Sequence, residues 1–296
     1  MPAQTYPFTT VDVFTNQRFS GNQLAVFTDA QGLSDAEMQA LAAEMNLSET
    51  TFVLPPKDPA NTAHVRIFNR TAEMPFAGHP NVGTAFVLAR ANPGLGDVLR
   101  FEEIAGLVEV RLARDGGAVI GAEIDAPQPL RLLGELPAQD IASCIGVLAT
   151  DVVVDHHQPV RASVGVDFVL VEVAGDALSR AAPDIQAFRR TAAAHSEDGE
   201  RLSVFLYARN GNDIRARMFA PLTGTWEDPA TGSANAALGA LLLSLSDTDH
   251  LAYEAVQGVE MGRPSRLRIS ARRIGGEFRA SVAGQCVPVF QGEALV

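Results

Sequence analysis

Residues 78–89 read GHPNVGTAFVLA, and residues 232–243 read GSANAALGALLL. Gly78 aligns with Gly232, His79 with Ser233, Pro80 with Ala234 and Asn81 with Asn235, at a spacing of 232 − 78 = 154 residues. Glu73 and Glu227 precede their glycines at the same distance. A spacing of about half the chain predicts duplication of one unit rather than a short solenoid repeat. Pro80 suits a helix start, because its missing N–H would be unpaired there in any case. The first turn of a helix leaves backbone N–H groups unpaired and carries partial positive charge. Glycine lets a ligand approach those amides closely. Two such helix starts facing one cleft would cradle a carboxylate and stabilise negative charge developing beside it. Neither copy is a phosphate-binding loop or a dinucleotide-binding turn, since the required lysine and glycine spacings are missing.

The flanking segments predict a similar strand and helix order in both halves. Alternation over Thr10–Phe14 and the run Leu24–Phe27, separated by Ser20-Gly21-Asn22, predict two strands and a turn. Ser34 with Glu37 forms a capping box ahead of a helix whose apolar face is Met38, Leu41, Ala42 and Met45. Leu47–Leu54 reads as extended, and His64–Phe68, Asp97–Glu103, Leu107–Leu112 and Ala118–Asp125 read as strands. Ala126–Pro129 is the best candidate linker, since proline restricts its neighbours and cannot donate to a sheet. Beyond it come helices near 137–145 and 184–194, and strands near Val152 and Val169 and over Leu202–Tyr207 and Asp213–Phe219. A loop then leads to a helix over Asn235–Leu245. Arg266–Ser270, Glu277–Ala283 and Gln285–Phe290 read as three closing strands.

Composition is that of an ordinary globular protein, with 47% hydrophobic and 20% charged residues among 296. The formal charge of −12 argues against nucleic acid and anionic membrane surfaces as partners, while leaving room for a locally positive pocket. No apolar run is long enough to span a bilayer, and the N-terminal residues do not read as a signal peptide. Cys144 and Cys286 stand too far apart to form a metal or disulfide pattern, so a reducing cytoplasm is the expected location. The adjacent His156 and His157 lack further ligands that would make a metal site. Trp226 is expected either as a pocket wall or in the core. Arg263 is expected either to anchor a distal acidic group or to form a salt bridge between domains.

Five segments in order, VDVFTNQRFSGNQLAVF from Val11, NLSET around Glu49, MPFAGHPNVGTA around His79, EDPATGSAN around Asp228 and MGRPS near Arg263, together resemble the PhzF-like family of phenazine biosynthesis. The family usually has proline where this chain has Gln23. The resemblance implies an α+β fold of the diaminopimelate-epimerase type. In that fold two pseudo-symmetric α/β domains each wrap a curved, mostly antiparallel sheet around a central helix, with the active cleft between them. The expected domains are 1–118, with the last strand at about 284–296 returning to it, and 119–283. The central helices would begin near His79 and Ser233.

The same resemblance implies an isomerase without metal or organic cofactor, acting on a small carboxylate substrate as a homodimer. Glu49 would be the acid/base that moves a proton on an unsaturated or cyclic carboxylate, as in dihydro-hydroxyanthranilate isomerisation; a single carboxylate can both take and return a proton. His79 would bind the substrate or relay the proton, and Asp228 would be the second carboxylate. Gly78, Thr231, Gly232 and Ser233 would supply backbone or hydroxyl donors. Read as residues alone, Glu49 fits a cap or surface carboxylate equally well, Asp228 a loop aspartate before Pro229, and Ser233 a helix cap. The alternatives are an amino-acid epimerase or racemase, a dehydratase, or a ligand-binding relative without turnover. A two-thiol racemase is excluded, since neither helix start carries a cysteine.

Overall fold

The computed structural model describes residues 4–195, 201–211 and 213–296. The chain forms two compact units, residues 1–125 with 283–296, and residues 126–282. The division falls later than the expected 118/119 boundary, because the strand Ala118–Asp125 pairs along its length with the strand before it.

In the first unit β1 (Thr5–Val13) pairs antiparallel with β2 (Asn22–Phe27). Helix α1 (Asp35–Met45) then crosses to β3 (Glu49–Leu54), parallel to β2. The Ser34–Glu37 capping box forms as the sequence predicts. Next, β4 (Ala63–Phe68) pairs antiparallel with β3 and with the two-residue β5 (Glu73–Met74). Helix α2 (Gly78–Ala91) leads to β6 (Val98–Glu103), parallel to β4, and antiparallel β7 (Gly106–Asp115) and β8 (Ala118–Asp125) follow. The last strand, β18 (Glu277–Leu295), pairs with β1 and with β8, so the sheet closes on itself around α2. Helix α2 is buried on all sides, from Gly78 through Val87, as a helix inside a closed sheet must be.

The second unit repeats this plan. Its strands are β9 (Arg131–Glu135), β10 (Val152–Val153), β11 (Val160–Ser163), β12 (Asp167–Val173), β13 (Val204–Asn210), β14 (Asp213–Ala220), β15 (Thr225–Asp228), β16 (His250–Gln257) and β17 (Ser265–Ile274). Its helices are α3 (Ala138–Ile145), α4 (Gly175–Arg180), α5 (Ile185–His195) and the central α6 (Gly232–Ser244). Strand β12 runs parallel to β13, β13 antiparallel to β14, and β14 parallel to β16. That is the pattern of β2, β3, β4 and β6.

The correspondence reaches individual registers. Ile67 lies opposite Met74 as Met218 lies opposite Asp228. His64 lies opposite Glu102 as Arg215 lies opposite Val256. An arginine on the strand before each central helix makes a bidentate pair with the glutamate of the next strand: Arg66 with Glu73 (both 2.6 Å) and Arg217 with Glu227 (2.8 and 2.9 Å). Both guanidinium groups also stack on the phenylalanine two residues on, Phe68 at 5.1 Å and Phe219 at 4.8 Å. Such planar two-bond pairs fix geometry as well as energy. In each unit the pair pins the short strand that delivers the chain to the helix start.

Helix α6 begins at Gly232 rather than Asn235, and the closing strands expected at 277–283 and 285–290 are one continuous strand. Strands β5, β9, β11, β15 and β16 and helix α4 form where no element was expected. Among the described residues, no helix is long and apolar enough to cross a membrane.

Candidate active site

Glu49 is the first residue of β3, and His79 the second of α2. The parallel step from β2 to β3 puts Glu49 opposite Leu24, beside the tip of the central helix. Glu49 Oε2 lies 3.3 Å from His79 Nε2, both atoms shielded from solvent, in a contact that falls short of hydrogen-bond alignment. Asn22 Nδ2 lies 3.5 Å from His79 Nδ1, and the ring also hydrogen-bonds to the Gln23 backbone. Ser48 Oγ in turn donates to Asn22 Oδ1 at 3.4 Å. Thus the turn from β1 to β2 and the start of β3 hold the imidazole from one side and the carboxylate from the other. Asn22 and Ser48 went unassigned from the sequence, although both lie in the SGN and NLSET segments.

Burial drives the His79 pKa down to about 3, against the smaller opposing effect of the Gln23 hydrogen bond. The ring is therefore neutral at physiological pH, and its contact with Glu49 is not an ion pair. The sign of the linkage follows. A histidine held neutral in the fold contributes stability that is present above pH 6.5 and is lost as pH falls towards about 3. Replacing His79 with glutamine is expected to flatten this acid limb, so that the thermal midpoint drops less between pH 7 and pH 4 than in the parent. Parallel curves for the two proteins would show that the imidazole does not titrate in this way.

In the second unit Asp228 closes β15 and is buried. It accepts a hydrogen bond from Thr231 Oγ1 at 2.6 Å. Thr231 is the N-cap residue of α6 and Gly232 the first helical residue, so Ser233 lies inside the helix and does not cap it. Gln257, at the end of β16, accepts from Thr231 N (3.1 Å) and Asn235 Nδ2 (3.0 Å), and donates to the Asp228 carbonyl (2.8 Å) and Thr231 Oγ1 (3.0 Å). The structure therefore brings Asp228, Thr231 and Gly232 together at one helix tip, and Glu49, Gly78 and His79 at the other. Gln257 went unassigned from the sequence, and only the register of β16 beside β14 brings it to the helix start.

Elsewhere, Cys144 and Cys286 lie on α3 and β18, both buried, and burial pushes both thiols up. His156 bonds Glu172 (2.8 Å), and His157 bonds Tyr207 (2.7 Å). Among the described residues no group of three or more His, Cys, Asp or Glu could hold a metal ion. Trp226 is 56% exposed, which removes it from the core.

The model of the phenazine biosynthesis-like proteins matches residues 11–292, almost the whole chain. The chain belongs to the phenazine biosynthesis-like family. An isomerase of Mesorhizobium japonicum is 39% identical over 99% of this chain and 100% of its own length. The trans-2,3-dihydro-3-hydroxyanthranilate isomerase of Pseudomonas aeruginosa is 35% identical over 98% and 99%. The crystal structure of a Bacillus anthracis phenazine biosynthesis protein of the PhzF family superposes with a TM-score of 0.87, at 24% identity, over 99% of this chain and 100% of its own. This family member is accordingly an isomerase of the α+β, diaminopimelate-epimerase-like fold, and its substrate is a small molecule.

Proposed function

We propose that this phenazine biosynthesis-like isomerase moves a proton on a small unsaturated or cyclic carboxylate related to trans-2,3-dihydro-3-hydroxyanthranilate, with Glu49 as its single acid/base and no cofactor. The observation that carries this reading is the Glu49–His79 contact, a carboxylate and a neutral imidazole shielded from water at the tip of a buried helix.

In the proposed reaction the Glu49 carboxylate takes the proton from a carbon next to the substrate's unsaturated system. The electron pair of the broken C–H bond shifts along that system and forms the new double bond. Protonated Glu49 then returns the proton to a different carbon, so that nothing is oxidised or reduced overall. His79, being neutral, offers the substrate a hydrogen bond without a charge. The first-turn amides of α2, led by Gly78, face negative charge developing on the substrate carboxylate or the extended enolate. Asp228 is assigned the role of second carboxylate, held by Thr231; Gly232 and Ser233 provide donors at the start of α6.

The test is turnover of trans-2,3-dihydro-3-hydroxyanthranilate in heavy water, with protein dialysed against a chelator. The double bond should shift with deuterium at the new C–H position. Retention of the substrate's double bond with deuterium at its original carbon would point to epimerisation. No exchange with any unsaturated cyclic amino acid would remove the isomerase assignment for this substrate class.

A further inference from the structure

Gln257 serves the first turn of α6 from outside the helix. That helix has no side-chain cap bond of its own, so the Gln257 amide is what satisfies the Thr231 N–H and fixes Asn235. The matching position in the first unit, at the same spacing of 154 residues, is 257 − 154 = 103. Glu103 ends β6 as Gln257 ends β16. Both strands run parallel to the strand that carries the arginine, in the same register. Helix α2 likewise lacks a side-chain cap. Asn81 Nδ2 donates to the Ala77 carbonyl at 3.0 Å, as Asn235 Nδ2 donates to the Thr231 carbonyl at 3.0 Å. The Asn81 side chain lies against the Glu103 carboxyl. Both Glu103 oxygens and Asn81 Oδ1 are shielded from solvent, and none of the three meets hydrogen-bond geometry.

We infer that Glu103 positions the first turn of α2, and with it His79, as Gln257 positions the first turn of α6. The chemistry of the two side chains makes the equivalence conditional on a proton. A glutamine amide presents a donor and an acceptor, and so does a protonated glutamic acid of the same length; a carboxylate presents acceptors alone. Burial pushes Glu103 up to about 8, with the Asn81 amide opposing it. The charged groups of the neighbouring elements do not offset this. Lys57, Asp58 and Glu102 line the same hollow of about 480 Å³ as Glu103. There the Glu102 carboxylate is already occupied by the backbone N–H groups of Lys57 and Asp58 and by Asn61. Arg66 and Glu73, on β4 and β5, pair with each other, and His79 on α2 is neutral. Glu103 is therefore the acid form at neutral pH. Since its folded value stands above the ordinary 4.5, the order it gives α2 is present at low pH and is lost as pH rises through about 8.

Peptide-resolved hydrogen exchange over residues 78–91, corrected for intrinsic rates, tests the inference in the full chain at pH 7 and pH 9. Protection in the parent should fall by up to about tenfold between the two, since one pH unit past the pKa changes the neutral fraction about tenfold. Glu103→Gln should keep its protection at both, and Glu103→Ala should lose protection at both. Equal alkaline loss in the parent and in Glu103→Gln overturns the inference, as does full protection in Glu103→Ala. If the alanine variant does not fold, the parent and glutamine profiles decide alone. The consequence for turnover rests on the role proposed above for His79 and is read separately. There kcat should fall above pH 8 in the parent and hold in Glu103→Gln, with KM unchanged in both. The expected protection pattern in a protein that turns over no substrate would keep the positioning role and defeat the functional assignment instead.

Discussion

Replacing Glu49 with glutamine is expected to lower deuterium transfer to substrate by a factor of about 100 to 10,000, the range a positioned acid/base contributes. Glutamine has the same length and shape, so β3 and its parallel pairing with β2 should persist and substrate affinity should change little. What the substitution removes is the ability to accept and return a proton beside the His79 ring. His79 cannot take over this role, because burial holds it at about 3; protonating it near neutral pH would be strongly unfavourable. The kinetic signature should be a loss in kcat with KM almost unchanged, the pattern of an interaction made in the transition state alone. Thermal unfolding of the variant should match the parent closely. Exchange that survives at a tenth or more of the parental rate would take Glu49 out of the proton path.

Much of this arrangement is legible in the residues, and the parts that are not share a physical cause. The pair of glycine-led helices could be seen because Gly78 and Gly232, and Asn81 and Asn235, keep their identity, and an apolar run follows each. The capping box at Ser34 and Glu37 was visible because its two bonds use side chains of fixed type. Helix α6 starts earlier than its pattern suggests because Gly232, Ser233 and Ala234 are too small to show a helical apolar stripe. The partnership of Glu103 and Gln257 was hidden, since the two differ in type and only their registers reveal them as one position. The break expected between the strands at 277–283 and 285–290 falls on Gly284. Instead β18 passes straight through it, since a Cβ at Gly284 would lie 2.3 Å from the Phe14 ring; the missing side chain makes room for Phe14. Glycine in a strand there marks a close approach rather than a turn. Glu49 is the clearest limit. Nothing in the local sequence distinguishes it from an exposed carboxylate, and only the fold carries it to His79.

The closure of the first unit around α2 depends on a second such approach, which leads to the largest stability effect expected here. At Gly121 in β8 a Cβ would lie 2.0 Å from the Gly284 carbonyl oxygen and 2.7 Å from the Gln285 Cα. Both obstacles are backbone, so no side chain can rotate away to relieve the clash. Accommodating even one methyl group requires β8 and β18 to separate. That separation would loosen the seam that completes the sheet and would disturb the packing of α2 against β8. Overpacking of this kind costs about 3 kcal/mol, and more where backbone must move. Gly121→Ala should therefore lower the thermal midpoint by about 5–10 °C. Gly96, exposed and with nothing within 4 Å of its added Cβ, provides the control, and its alanine variant should unfold within about 1 °C of the parent. If Gly121→Ala and Gly96→Ala unfold together, the β8–β18 seam has slack that the closed sheet does not show. If only the first falls, the central helix owes its burial to two strands that can meet because β8 carries no side chain where the β18 backbone crosses it.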